Sequence, residues 1–167
     1  GAYTGAEECK GCMEAAHGGT LFLDEIGEMT VSSQAKFLRV LEQNYVTRVG
    51  SNSPIQVDVR TLAATNKNIK MAVSSMQFRA DLFYRLNTLN IHLPPLRERR
   101  EDIPLIASIL LPSLEKGDGC YLSHQSIMKL KDHHWPGNVR ELVNVLTRAA
   151  ILTEKKKIET PYIIFDY

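Results

Sequence analysis

The sequence has little cysteine, no long apolar run and almost no net charge, and each shortage excludes something. The three cysteines, Cys9, Cys12 and Cys120, are too few and too odd in number for a disulfide framework, and point to a reduced, cytoplasmic protein. No stretch approaches the ~20 apolar residues that a membrane-spanning helix needs. The longest candidate, residues 103–114, is shorter and carries two prolines. Lys and Arg number 20 against 19 Asp and Glu, and the net charge of +1 is too small for a strong non-specific grip on nucleic acid. The chain opens on Gly1 rather than methionine, with no signal-peptide pattern, and reads as a piece cut from something longer. What remains is ordinary globular composition, 44% hydrophobic and 23% charged over 167 residues, enough for one core or for a core with a small satellite.

Residues 7–17 read as partly helical, and Gly18-Gly19 end that segment. Thr20-Leu21-Phe22-Leu23, ahead of Asp24 and Glu25, reads as a buried strand. Thr30 is the N-cap expected for a helix with Phe37, Leu38 and Leu41 at helical spacing, ending near Asn44. Residues 45–49 and 55–59 alternate around Gly-Ser-Asn-Ser-Pro and read as a hairpin, and residues 61–65 as a second buried strand ending at Asn66. Residues 67–76 are partly helical and 78–87 a helix; Leu89, Ile91 and Leu93 alternate with polar residues as a short strand stopped by Pro94-Pro95. Only helices follow. One is capped by Asp102 and ended by Gly117 and Gly119, and one is capped by Ser123 and carries Ile127 and Leu130. A last helix opens after Trp135-Pro136-Gly137 with an Asn138…Glu141 capping box. Its apolar side is Val139, Leu142, Val143, Leu146, Ala149 and Ala150, and Lys155, Lys156 and Lys157 suit its C-terminal end. Strands mixed with helices and then helices alone predict an α/β layer, residues 1–95, followed by a small helical subdomain, residues 96–160.

The chemistry concentrates at strand ends. Two carboxylates closing a strand, Asp24 and Glu25, are placed to hold Mg²⁺ and to orient or deprotonate a water, although a strand followed by a polar turn looks the same. Asn66 can bond that water or an outer phosphate, or can simply start a turn. Arg79 and Arg85, six apart on one predicted helix, can neutralise charge on a transferred phosphoryl group, or can pair with acids such as Asp81. Arg140, at the start of the last helix, can meet an anion there or stay a solvated surface residue. Cys9-Lys-Gly-Cys12 has zinc-knuckle spacing with His17 nearby, but no second ligand pair is visible, so a metal or redox role is disfavoured.

Taken together, these residues resemble the AAA+ ATPase domain of bacterial enhancer-binding proteins, the sigma-54-dependent transcriptional activators. The resemblance runs from Gly1 to about Glu154. Gly1-Ala2-Tyr3-Thr4-Gly5-Ala6 is similar to the family's GAFTGA loop, and Gly18-Gly-Thr-Leu-Phe-Leu-Asp-Glu-Ile-Gly27 to its Walker B segment. Gln34-Ala-Lys-Phe-Leu-Arg-Val-Leu41, Arg48-Val-Gly50, Val57-Asp-Val-Arg60, Ala63-Ala-Thr-Asn66 and Phe78-Arg-Ala-Asp-Leu82 also match. So do Tyr84-Arg-Leu-Asn87, Leu93-Pro-Pro-Leu-Arg-Glu-Arg99, Glu101-Asp-Ile103 and Trp135-Pro-Gly-Asn-Val-Arg-Glu-Leu142. The resemblance implies that Asp24 supports Mg²⁺, Glu25 activates water, Asn66 senses the nucleotide, Arg79 and Arg85 act across a subunit interface, and Arg140 is a lid sensor. It implies that residues 1–6 touch the sigma factor, with Thr4 central. It further implies a ring hexamer that couples ATP hydrolysis to promoter opening by sigma-54 RNA polymerase. A receiver or sensor domain would regulate it, and a separate helix-turn-helix domain would hold enhancer DNA.

The sequence departs from the family in several places. It holds no GxxxxGK[ST], so the expected fold is a P-loop NTPase-like parallel sheet without its N-terminal strands and phosphate loop, followed by the lid. Such a piece is expected not to hydrolyse ATP alone. Met13-Glu14 stands where the family tends to have Phe-Glu, and the tail Pro161-Tyr-Ile-Ile-Phe-Asp-Tyr167 matches nothing evident in the family. Another AAA+ remodelling machine is the alternative that the GAFTGA-like hexapeptide argues against, and a non-catalytic interaction module is the third reading. If the strand between residues 61–65 and 89–93 is absent, those two are expected to pair directly, or residues 162–165 or a second copy to fill the gap.

Overall fold

The structure, a computed structural model, describes residues 10–165. The chain divides into two compact units between Ile91 and His92. The first unit opens with helix α1 (Cys12–Ala15) and passes through Gly18, whose φ of 74° suits glycine, into strand β1 (Thr20–Leu23). A 3-10 turn (Ile26–Glu28) leads to helix α2 (Val31–Gln43). Thr30 caps α2 by accepting the Ser33 N–H, and Asn44 ends it in the left-handed conformation that a short polar side chain tolerates. Strands β2 (Tyr45–Thr47) and β3 (Pro54–Gln56) form the hairpin, and β4 (Arg60–Ala63) returns parallel to β1 with Thr20 opposite Arg60 and Leu23 opposite Ala63. Helices α3 (Ile69–Ser74) and α4 (Ala80–Leu86) follow. Ile26, Phe37, Leu38, Phe78 and Leu82 form the buried core of this unit, with Leu23, Met29 and Leu41 packed against it.

Three expectations fail here. The strands are not buried: Phe22 and Leu62 lie side by side on one sheet face and are 60% and 46% exposed, because nothing described covers that face. Residues 89–93 form no strand, and Leu89, Ile91 and Leu93 stand 81%, 76% and 78% exposed. Strand geometry needs a hydrogen-bonded neighbour, and among the described residues β1 and β4 pair only with each other. Residues 162–165 do not fill that place, since Ile163 is buried in the core of the second unit. Arg79 and Arg85, finally, do not share a helix. Arg79 is the extended N-cap residue and α4 begins at Ala80.

Gln34 explains how the segment before α4 is fixed. It sits on the apolar face of α2 in step with Phe37, Leu38 and Leu41, and is fully buried. Its amide donates to the carbonyls of Met29 (2.9 Å) and Gln77 (3.0 Å), and its carbonyl accepts the Arg79 N–H at 2.8 Å. A Gln34→Leu substitution fills the space but leaves three backbone groups without partners. The expected loss is about 3–9 kcal/mol, from roughly 1–3 kcal/mol for each of the three stranded groups. A urea melt of the chain, followed by circular dichroism, checks it; an unchanged first transition would remove this role from Gln34.

The second unit begins with two 3-10 turns, Leu96–Glu98 and Arg100–Asp102, that run directly into helix α5 (Ile103–Leu110). Asp102 occupies the N-cap position but makes no side-chain cap bond, because the chain is already coiled there. The helix stops earlier than expected, in a 3-10 turn at Leu111–Ser113. Gly117 comes later, pressed onto the Leu111 carbonyl, which a Cβ would strike. Strand β5 (Tyr121–Leu122) precedes helix α6 (His124–Asp132), which Ser123 caps by accepting the Ser126 N–H. Helix α7 (Asn138–Leu152) follows. Strand β6 (Lys157–Ile158) then pairs parallel with β5, so the three lysines lie beyond α7 rather than on it.

The core gathers Leu96, Ile103, Leu130, Trp135, Leu142, Leu146, Ile158 and Ile163, all fully buried. Val145, absent from the expected apolar side of α7, belongs to it as well. The tail, expected from sequence to lie outside the family pattern, instead closes the core through Ile163.

Candidate functional site

Parallel pairing decides the geometry of the first unit. With Leu23 opposite Ala63, the residues beyond both strands emerge at the same C-terminal sheet edge: Asp24 and Glu25 after β1, Asn66 after β4. All three are exposed. Asp24 Oδ1 accepts the Glu25 N–H at 2.9 Å, and Glu25 takes a left-handed φ of 53°, uncommon for a residue with a long side chain. The turn is fastened to the neighbouring strand end. The Ile26 N–H donates to Ala64 O (2.9 Å), and Lys67 Nζ reaches Gly27 O (3.3 Å) and the Glu28 carboxylate (2.8 Å). Gly27 admits no side chain, since a Cβ would meet Thr65 Oγ1 at 2.7 Å. The acid turn and the Asn66 turn are thus laced together by Lys67, which no motif in the sequence singles out.

Arg79 and Arg85 lie in the same unit and differ in what holds them. Arg79 is anchored through its backbone by Gln34, while its guanidinium grips Asp81 with bonds of 3.0 and 2.7 Å. That pair is exposed, and the hydrogen bond from Arg79 holds the Asp81 carboxyl below its usual range. Arg85 instead donates to Leu41 O at 2.9 Å, satisfying one of the orphan carbonyls that end α2. Glu14 on α1 and Arg48 after β2 form a two-bond pair of 2.6 and 3.0 Å that ties the hairpin to the segment following the hexapeptide. This bonding holds the Glu14 carboxyl below its usual range.

Arg140 belongs to the second unit. It is exposed in the first turn of α7 and, among the described residues, makes no hydrogen bond or ion pair. The expected capping box forms only by half. Glu141 accepts the Gly137 N–H at 2.8 Å, but Asn138 is the first helical residue and its side chain accepts the Leu96 N–H instead. The hexapeptide at residues 1–6 and Cys9 lie outside the described residues. Cys12 is exposed, His17 Nδ1 accepts the Asp58 N–H, and Cys120 donates to Lys116 O in the second unit.

The sigma-54 interaction domain family matches residues 1–92, and the AAA+ ATPase lid domain family matches residues 97–164. The chain is 48% identical over 170 residues to the Nif-specific regulatory protein of Klebsiella pneumoniae, covering 100% of this chain and 32% of that protein. It is 48% identical over 161 residues to the transcriptional regulatory protein XylR of Pseudomonas putida, covering 94% and 28%. Among solved structures, NtrX from Brucella abortus in complex with ADP superimposes with a TM-score of 0.84 at 34% identity, over 92% of this chain and 37% of that one. The chain spans about a third of the length of the curated relatives it matches. It belongs to the sigma-54 interaction domain family, with the AAA+ lid that follows.

Proposed function

We propose that this chain works within an ATP-hydrolysing activator of sigma-54 RNA polymerase, in the cytoplasm, as part of a ring-forming oligomer. Residues 1–95 serve in the catalytic layer and residues 96–160 as its lid. The observation that carries the reading is the shared sheet edge, where an acid pair and an amide project from adjacent parallel strands in a chain of this family.

Asp24 suits a Mg²⁺ ligand, being an exposed carboxylate at a strand end with only Oδ1 engaged, by the next N–H. Bound there, Mg²⁺ would neutralise charge on the ATP phosphates. Glu25, an exposed carboxylate in the turn that follows, takes the proton of the attacking water. Asn66 reads the outer phosphate from the neighbouring strand end. Arg79 and Arg85 act on the nucleotide of an adjacent subunit, and Arg140 contacts nucleotide from the lid. Residues 1–6 contact the sigma factor, and enhancer DNA and regulatory input belong to separate domains.

Replacing Thr4 with alanine in the intact protein tests the reading. The hexapeptide offers neither acid nor base, so ATP turnover is expected to survive while promoter opening by sigma-54 RNA polymerase fails. Parallel assays of phosphate release and open-complex formation check this. Equal loss of both activities would assign the loop to the nucleotide site.

A further inference from the structure

We infer that Glu141 and His133 are a positioning pair for Arg140, fixing the turn that opens α7 before nucleotide arrives. The inference rests on the reading of Arg140 given above. The chain turns from α6 into α7 through Trp135, Pro136, Gly137 and Asn138, and two of these residues are left-handed: Trp135 at φ 53° and Asn138 at φ 52°. Neither is glycine, and a bulky indole in that region persists only where its surroundings over-determine it.

The surroundings do so. The Trp135 indole is fully buried and donates to Leu130 O at 2.7 Å, and Asn138 Oδ1 accepts the Leu96 N–H at 2.9 Å. Glu141 spans the turn with both oxygens. Oε2 accepts the Gly137 N–H at 2.8 Å, and Oε1 lies 2.6 Å from His133 Nε2. An ionised carboxylate only accepts, so Nε2 carries the hydrogen and donates it. The two side chains are 13% and 14% exposed, which shields the bond from water.

His133 cannot swing away. Its ring stacks on Phe165 at 4.0 Å and 3°, and meets the edge of Trp135 at 4.8 Å and 88°. The turn has no spare room either, because a Cβ on Gly137 would strike Glu141 Cβ at 2.8 Å. Arg140 sits between the two ends of this clamp, three residues after Gly137 and one before Glu141. Its backbone is fixed, while its exposed guanidinium has no partner among the described residues. Losing the clamp frees the Gly137 N–H and lets the left-handed residues relax, which moves the first turn of α7 and the arginine with it.

The test is steady-state ATPase kinetics of the intact protein with R140A, E141A, E141Q, H133A and the double variant R140A/E141A. E141A and H133A are expected to raise KM for ATP about tenfold, the low end of what supporting residues contribute at other sites. The change in kcat should be smaller. E141Q keeps an acceptor for the Gly137 N–H, and its amide can donate to His133 Nε2 in the other ring tautomer, so it should stay near the wild type. Added to R140A, E141A should raise KM no further. Tryptophan emission of this 167-residue chain, in which Trp135 is the single tryptophan, separates a moved turn from an unfolded lid, with E141Q and H133A as the milder probes. Multiplying effects in the double variant, or an unchanged KM for E141A beside a raised one for R140A, would overturn the pair alone. An unchanged KM for R140A would remove the reading of Arg140, and the pair with it.

Discussion

Replacing Arg79 with alanine in the intact protein is expected to lower ATP turnover by about 10³- to 10⁵-fold, the range found for arginines that stabilise a phosphoryl transition state. The structure gives this residue a fixed base and an exposed head. Its N–H is held at 2.8 Å by the buried Gln34, so the backbone has one position. Its guanidinium pairs with Asp81, but both side chains are exposed, and an exposed ion pair is weak enough to be exchanged for a phosphate. Holding the arginine on its own acid keeps it ordered without committing it. Mixing Arg79→Ala subunits with Glu25→Gln subunits should restore part of the turnover, because each supplies what the other lacks across an interface. Phosphate release over a series of mixing ratios measures this, with subunit exchange shown independently by a labelled pair. No recovery at any ratio in exchanging rings would rule out action in trans. Arg85→Ala requires a separate stability measurement, since its bond to Leu41 O closes α2 and its loss would loosen that helix end.

Glu25→Gln should lower turnover by about 10²- to 10⁴-fold, the usual contribution of a positioned general base, while leaving nucleotide affinity nearly intact. Gln preserves size and hydrogen bonding but cannot take a proton at neutral pH. It also leaves the backbone as it is, whereas a glycine at this left-handed position would relieve strain and add flexibility, confusing the two effects. Asp24→Ala should instead weaken the Mg²⁺ dependence of binding itself. Single-turnover hydrolysis beside a fluorescent-nucleotide titration separates the two variants. Unaltered hydrolysis by Glu25→Gln would move the base elsewhere.

Much of this was legible in the sequence because local chemistry has few solutions. Thr30 and Asn44 bracket α2, Ser123 caps α6, and the acid pair falls where the apolar run Leu21-Phe22-Leu23 ends. The sequence was less informative where the outcome depends on what lies against a segment. Phe22 and Leu62 carry the apolar character of buried strands, but that character does not say what covers them. Leu89, Ile91 and Leu93 alternate as a strand does, yet pairing requires a neighbour. The β5–β6 pair is only two residues long on each side and shows no period, so the lysines preceding Ile158 were assigned to a helix end. Gln34 did leave a signal, an amide on the apolar stripe of α2, where a polar residue calls for partners. His133 left none, because its partner Glu141 lies eight residues away and Phe165 lies thirty-two away.

The two cores described above are unequal. Among the described residues, five buried side chains anchor the first unit and twelve anchor the second, which also encloses the only tryptophan. Unfolding of such a chain is not one event. The first unit, with Phe22 and Leu62 in water, yields at lower denaturant, and the second keeps its own transition. A ligand held by the first unit alone would raise only the earlier of the two, so the spacing between transitions becomes a gauge of what that unit has bound.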